Sequence, residues 1–180
     1  MQDRVSISLR DAVDTDFDRI VELNAAEVRH TSPMPLDRLR SLIAMSAYCR
    51  VAISDGVVAA FLLAFRQGAA YDSDNYRWFA SRFGEFLYVD RIVVGKAFSG
   101  RGVGAALYAD LFAFARSCGI DTIACEYNID PPNPASRAFH DKFGFTEVAT
   151  QWVANRSKRV SLQVAHPGPG SVATTAGRSS

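Results

Sequence analysis

Val94-Gly95-Lys96-Ala97-Phe98-Ser99-Gly100-Arg101-Gly102-Val103-Gly104-Ala105-Ala106-Leu107 is the stretch on which the reading turns. Ahead of it, Phe86 to Val94 is an apolar run rich in β-branched and aromatic residues, which predicts a strand. Behind it, Val103, Ala106, Leu107, Leu111, Phe114, Ala115 and Cys118 recur at helical spacing. A strand therefore feeds a glycine-rich turn, and the turn opens a helix. Glycines at alternate positions leave backbone N–H groups uncovered by side chains. The helix start adds unpaired N–H groups and a partial positive charge. Together they form a cradle for a phosphate or pyrophosphate. No Lys-Ser or Lys-Thr follows the last glycine, which excludes a P-loop for ATP, and Gly100-x-Gly102-x-Gly104 misses the dinucleotide pattern G-x-G-x-x-G. Taken alone, such a turn is equally compatible with an ordinary tight connection before a helix.

Working outward, the 180-residue chain is long enough for one domain with a substantial core. Its charges nearly cancel, with 20 basic and 19 acidic side chains, which argues against a nucleic-acid binder built on a basic face and gives no reason to expect an anionic membrane. Met1-Gln2-Asp3-Arg4 carries mixed charge with no secretory apolar region, and no apolar run approaches the ~20 residues that span a bilayer. Cys49, Cys118 and Cys125 are odd in number and widely spaced, which suits a reducing, cytoplasmic compartment and carries no metal signature. Cys118 and Cys125 read as small apolar packing residues. His30, His140 and His166 are scattered, so no metal is expected, and His30 and His166 read as surface residues. No cysteine has a histidine-paired context and no G-x-S-x-G elbow occurs, which argues against a covalent nucleophile.

Taken in order, Val5, Ile7 and Leu9 alternate as a first strand. Asp14 or Thr15 is placed to cap a helix carrying Phe17, Ile20, Val21 and Val28, and a second helix starts near Pro35 with Leu36, Leu39, Leu42 and Ile43. Tyr48 to Ile53 and Val57 to Phe65 read as a hairpin around Ser54-Asp55-Gly56. Residues 67 to 84 read as a polar loop with one helical turn and three aromatics, Tyr71, Tyr76 and Trp78. A loop of that length is a candidate acceptor-binding segment, or a connection whose aromatics pack on the core. Beyond the central helix, Gly119 suits a helix stop, Thr122 to Tyr127 a strand, and Asn133-Pro134 the start of a helix that ends at Gly144. Phe145 to Ala154 and Arg159 to Val164 read as the last two strands. From His166 to Ser180 the chain has almost no large apolar side chain, so a domain over 1–165 and a disordered tail over 166–180 are expected.

The order β-α-α-β-β-β-α-β-α-β-β over residues 5 to 165 resembles that of the GNAT superfamily of N-acetyltransferases. The turn is similar to its pyrophosphate loop, Gln/Arg-x-x-Gly-x-Gly/Ala: Gly102 and Gly104 match, while Ser99 stands where Gln or Arg is usual. A second motif of the family, Asn-x-x-Ala…Tyr-x-x-x-Gly-Phe, is matched by Asn133, Gly144 and Phe145. Ser136 stands at the usual Ala and His140 at the usual Tyr. The resemblance implies an α/β fold (α+β). Its central sheet is mixed and mostly antiparallel, of about seven strands splayed between the fourth and fifth, and about four helices flank it. It also implies acetyl-CoA as cosubstrate, with its pyrophosphate on the turn (Ser99, Gly100, Arg101, Gly102, Val103, Gly104) and its pantetheine arm beside Ile92, Val93 and Val94. Asn133, Ser136 and His140 would line the arm. The implied reaction is direct attack of an amine on the thioester. The acceptor would be a small-molecule or protein amine, and homodimers are frequent in such families.

Such a reaction needs an amine relieved of a proton, a stabilised oxyanion and a donor for the departing thiolate. In the family the matching Tyr often protonates the leaving sulfur. His140 is a candidate for that role, because imidazole titrates near about 6.5. Ser136, one turn earlier, faces the same side and is placed to orient the ring or bind the sulfur. Strand alternation puts Tyr88, Asp90, Ile92 and Val94 on one face and Arg91 and Val93 on the other. Asp90 and Glu126 are therefore candidates to activate or hold the amine, against the alternative that each is ion-paired with an arginine. A coenzyme A-binding module without turnover is the second functional reading, kept open by Ser99 and His140.

Overall fold

The structure, a computed structural model, describes residues 6–27 and 31–168. Val5, Val28, His30 and residues 169–180 of the expected tail lie outside the described residues. Seven strands form one sheet in the order β1-β2-β3-β4-β5-β7-β6. They are β1 (Ile7–Asp11), β2 (Tyr48–Ser54), β3 (Val57–Arg66), β4 (Leu87–Val94), β5 (Ile123–Asp130), β6 (Thr146–Val153) and β7 (Lys158–Ala165). Every neighbouring pair is antiparallel except β4 and β5. The helices are α1 (Phe17–Ala26), α2 (Leu36–Met45), α3 (Asp74–Ala80), α4 (Val103–Ser117) and α5 (Pro134–Asp141). None of them is long and apolar enough to cross a membrane.

β3 explains the layering. All but the ends of Val57–Arg66 are buried, so both faces are covered. Phe61, Leu63 and Phe65 point into the core shared with Ile20, Leu39 and Leu42 of α1 and α2. Ala60, Leu62 and Ala64 point the other way, into the core shared with Leu107, Leu111 and Ala115 of α4. Alanines on that face let α4 lie close to the sheet. α3 joins the first layer through Tyr76 and Phe79, and α5 joins the second through Phe139.

Four details differ from the sequence expectations. The segment 67 to 84 holds a seven-residue helix rather than one turn, capped by the Ser73 hydroxyl on the Tyr76 N–H. Neither Asp14 nor Thr15 caps α1. A 3-10 turn over Asp14–Asp16 precedes it, and Asp16 accepts the Val13 N–H while pairing with Arg10. Cys118 is exposed at the end of α4, because the helix stops there on Gly119 with its C-terminus at the surface, whereas Cys125 is buried. The fourth is in β4. Its pairing with β3 slips by one residue between Leu63↔Arg91 and Ala64↔Val89, leaving Asp90 as a bulge. A bulge reverses the alternation beyond it. Tyr88 and Val93 therefore sit in the α1–α2 core, while Ile92 and Val94 pack against the α4 core. Ile92 and Val94 do not share a face with Tyr88 and Asp90.

β4 and β5 pair only at Leu87↔Ile123 and Tyr88↔Ala124. Past those residues the strands diverge, and a cleft opens in the gap.

Candidate active site

The cleft has a volume of about 1030 Å³. One wall is the open edge of β4, with Ile92, Val93 and Val94, continued by Ser99, Gly100, Gly102, Val103 and Gly104. The other is β5 with Glu126, then Asn133, Ser136 and His140. Asp90 lies on the first wall. Of the residues expected to meet the cofactor, only Arg101 does not line it; its guanidinium turns outward to Asp55 at 3.2 Å.

The glycine turn is shaped for close approach by an anion. Gly102 caps α4 with φ of +81°, a left-handed conformation that an L side chain adopts only with strain. The first backbone bond returning into this turn runs from Ala106 N–H to Gly102 C=O at 2.9 Å. By helix geometry, the N–H groups of Val103, Gly104 and Ala105 have no intrahelical carbonyl to reach. At Gly104 a Cβ would come within 3.3 Å of Val94 and 3.4 Å of Phe139, so the missing side chain lets α4 close on β4 and α5 at the base of the cleft. These features fit a pyrophosphate.

Glu126 stands two residues past the last β4–β5 pair, where the strands part. Its Oε1 accepts from the Tyr88 hydroxyl and from Asn75 Nδ2, both at 2.9 Å. Its Oε2 is buried and has no hydrogen-bond partner. Burial pushes its carboxyl up to about 8, against the pull of the Tyr88 and Asn75 hydrogen bonds. Asp90 is different. Both its oxygens are taken, one by the Tyr71 hydroxyl and the other by Arg91 Nε at 2.6 Å. Arg91 is spent in turn on the Asn24 side chain and on the carbonyl and hydroxyl of Ser32.

His140 is 4% exposed and boxed in by the rings of Tyr108, Tyr127, Phe139 and Phe145. Its Nδ1 lies 2.7 Å from the Ser136 carbonyl and 3.3 Å from the Ser136 hydroxyl. A carbonyl only accepts, so Nδ1 carries the proton and Nε2 accepts from the Tyr108 hydroxyl at 2.8 Å. Desolvation holds the imidazole below its usual range, and so neutral at pH 7. Ser136 thus orients the ring, chiefly through its backbone. Asn133 caps α5, its side-chain oxygen accepting the Ser136 N–H at 3.1 Å, with Pro134 in the first turn.

Sequence reasoning missed Tyr108, Asn75 and Gln151. Tyr108 had a signal: it is a polar-tipped residue on the buried face of α4. Asn75 and Gln151 had none, because each meets its partner across more than 50 residues.

The profile of the Acetyltransferase (GNAT) family matches residues 13–145. No curated protein matches the chain at a significant level. Several solved structures share the fold. Ard1 from Thermoplasma volcanium is 16% identical, with a TM-score of 0.74 over 90% of this chain and 98% of its own. The ribosomal-protein-S18-alanine N-acetyltransferase from Escherichia coli is 15% identical, with a TM-score of 0.68 over 96% of this chain and 99% of its own. Naa50 from Arabidopsis thaliana, in complex with the bisubstrate analogue CoA-Ac-MVNAL, is 16% identical, with a TM-score of 0.69 over 89% of this chain and 99% of its own.

Proposed function

The chain belongs to the GNAT family of acetyltransferases, and on that premise we propose that it moves the acetyl group of acetyl-CoA onto a primary amine by direct attack, without an acyl-enzyme. The observation that carries this reading is Glu126 Oε2, a buried carboxylate oxygen without a partner on a residue that lines the cleft. A carboxyl poised near about 8 matches a general base working close to neutral pH. Oε1 is held by two donors, so the proton taken from the amine, directly or across one water, goes to Oε2.

Acetyl-CoA supplies the activated thioester. The N–H groups of Gly100, Gly102, Val103, Gly104 and Ala105 would hold its pyrophosphate, those of Ser99 and Arg101 being bonded to the Lys96 and Phe98 carbonyls, and the open edge at Ile92, Val93 and Val94 would hold its pantetheine arm. Asp90, with both oxygens occupied, organises Arg91 and Tyr71 beside the acceptor rather than binding the amine. On the leaving-group side the donor is the Tyr108–His140 pair. Ser136 fixes the imidazole tautomer, the Tyr108 hydroxyl rests with its one proton on His140 Nε2, and turning that O–H from Nε2 to the departing sulfur would deliver the proton, which water then replaces on Tyr108. The acceptor is a small-molecule or protein amine. The peptide-bearing analogue bound by Naa50 supports including peptide N-termini among the amines tried.

The test is thiol release from acetyl-CoA against a panel of amines and short peptides. The rate should rise with pH around a midpoint near 8. Glu126→Gln should remove that limb and lower turnover by about 10²–10⁴-fold while acetyl-CoA affinity holds. A retained limb would exclude Glu126 as the base. Tight acetyl-CoA binding with no thiol release from any amine would instead favour the coenzyme A-binding module.

A further inference from the structure

We infer that Asn75 of α3, held by Gln151 of β6, is a positioning residue that aims the Glu126 carboxylate and favours its ionised form. The inference rests on the reading of Glu126 as the base. Three side chains from three elements form a line. Gln151 Nε2 donates to Asn75 Oδ1 at 2.9 Å, and Asn75 Nδ2 donates to Glu126 Oε1 at 2.9 Å. The first bond fixes the sense of the second. With its oxygen taken by a donor, the Asn75 amide presents N–H to the carboxylate. A donor on Oε1 stabilises the charged form and leaves Oε2 as the oxygen that receives the proton.

α3 is a firm base for this device. Asn75 is 9% exposed, and its neighbours Tyr76 and Phe79 are core residues. The Tyr76 hydroxyl donates to the Arg66 carbonyl and accepts the Ala69 N–H, tying the helix to the end of β3. The helix thus carries the amide donor to the point where β4 and β5 part.

Other groups also act on Glu126. Tyr88, Asp90 and Arg91 face it from β4, Tyr71 from the segment before α3, Tyr108 from α4 and Cys125 from β5 itself. Lys158 of β7 lines the same cleft. A substitution at position 75 leaves all of them in place, so a change in Glu126 titration reports the amide.

The experiment follows the Glu126 carboxyl carbon by NMR in the unliganded full chain labelled at glutamate, its resonance identified by loss in Glu126→Gln. Asn75→Leu, matched in size, should move the midpoint up by about one pH unit, equivalent to about tenfold less carboxylate at pH 7. Gln151→Met, at a less buried site, should move it in the same direction by about half as much, and serves should Asn75→Leu fail to fold. A midpoint that stays put in a folded variant of either residue would overturn the inference, because a helix that merely packs there does not set a proton affinity. The measurement uses no substrate, so it stands apart from the kinetic test: full turnover in Glu126→Gln would remove the base assignment and leave the Asn75 result to be judged on the titration alone.

Discussion

Burial moves the proton affinities of Glu126 and His140 in opposite senses, and each shift is also a statement about stability. Glu126 is pushed up to about 8 from an ordinary 4.5, mainly by desolvation. Between those pH values the unfolded chain has released the proton and the folded chain has kept it. The native state binds more protons, so its stability falls as pH rises through the window and is lowest above about 8. The span corresponds to on the order of 5 kcal/mol. Glu126→Gln does not titrate, so the residue proposed as the base should be one whose loss stabilises the fold at high pH. In urea unfolding the variant should match the native chain near pH 4.5 and exceed it by several kcal/mol at pH 9. A gap independent of pH would mean that the buried carboxylate carries no such cost. His140 works the other way. Its depressed affinity lets the unfolded chain take up a proton first, so stability is lost as pH falls below about 6.5.

At the scale of elements, the bulge in β4 and the Arg91 clip act together. The extra residue at Asp90 turns the strand over, so that Arg91 lies under α1 while Ile92 and Val94 face α4. Arg91 then ties β4 to Asn24 of α1 and to Ser32 beyond it. The Asp90–Arg91 pair is 5% exposed on each side. Removing one partner leaves a buried charge, so Arg91→Met should cost about 3–5 kcal/mol at neutral pH. Removing both is far milder, and Asp90→Asn with Arg91→Met should recover at least half of that loss. A single variant within 1 kcal/mol of the native chain would show that the clip is dispensable. None of this was legible in the sequence. Strand alternation is a period-2 rule, and no residue between Tyr88 and Ile92 announces an insertion. The elements that were legible are those with strong local signals: the apolar period of α4, the Asn133-Pro134 start of α5, the Asp55-Gly56 hairpin turn and the glycines at 100, 102 and 104. α3 was read short because its buried residues, Asn75, Tyr76 and Phe79, are too few to show a period.

At the scale of the whole molecule, the cleft exists because β4 and β5 share only two residue pairs before separating. β1 to β4 form one part of the sheet, and β5, β7 and β6 the other. Strand order and the two glycine- and asparagine-bearing helix starts made this plan readable in advance. The burial of Glu126 and the relay behind it arise only when distant segments meet. A ligand lying in the gap touches both parts, so it should act as a clasp. By mass action, acetyl-CoA at one hundred times its dissociation constant adds about 2.7 kcal/mol to stability. For a chain of this length that is a rise in melting temperature of roughly 5–10 °C. ATP and NAD at the same concentration should give much less, because neither offers an arm to lie along Ile92 to Val94. Hydrogen exchange places the effect: slowing should concentrate in residues 89–94 of β4, the first turn of α4 and α5, with α2 unchanged. Equal shifts from ATP, or slowing spread evenly over the sheet, would mean that the glycine turn binds polyphosphate anions generally and that the splayed edge is not a cofactor groove.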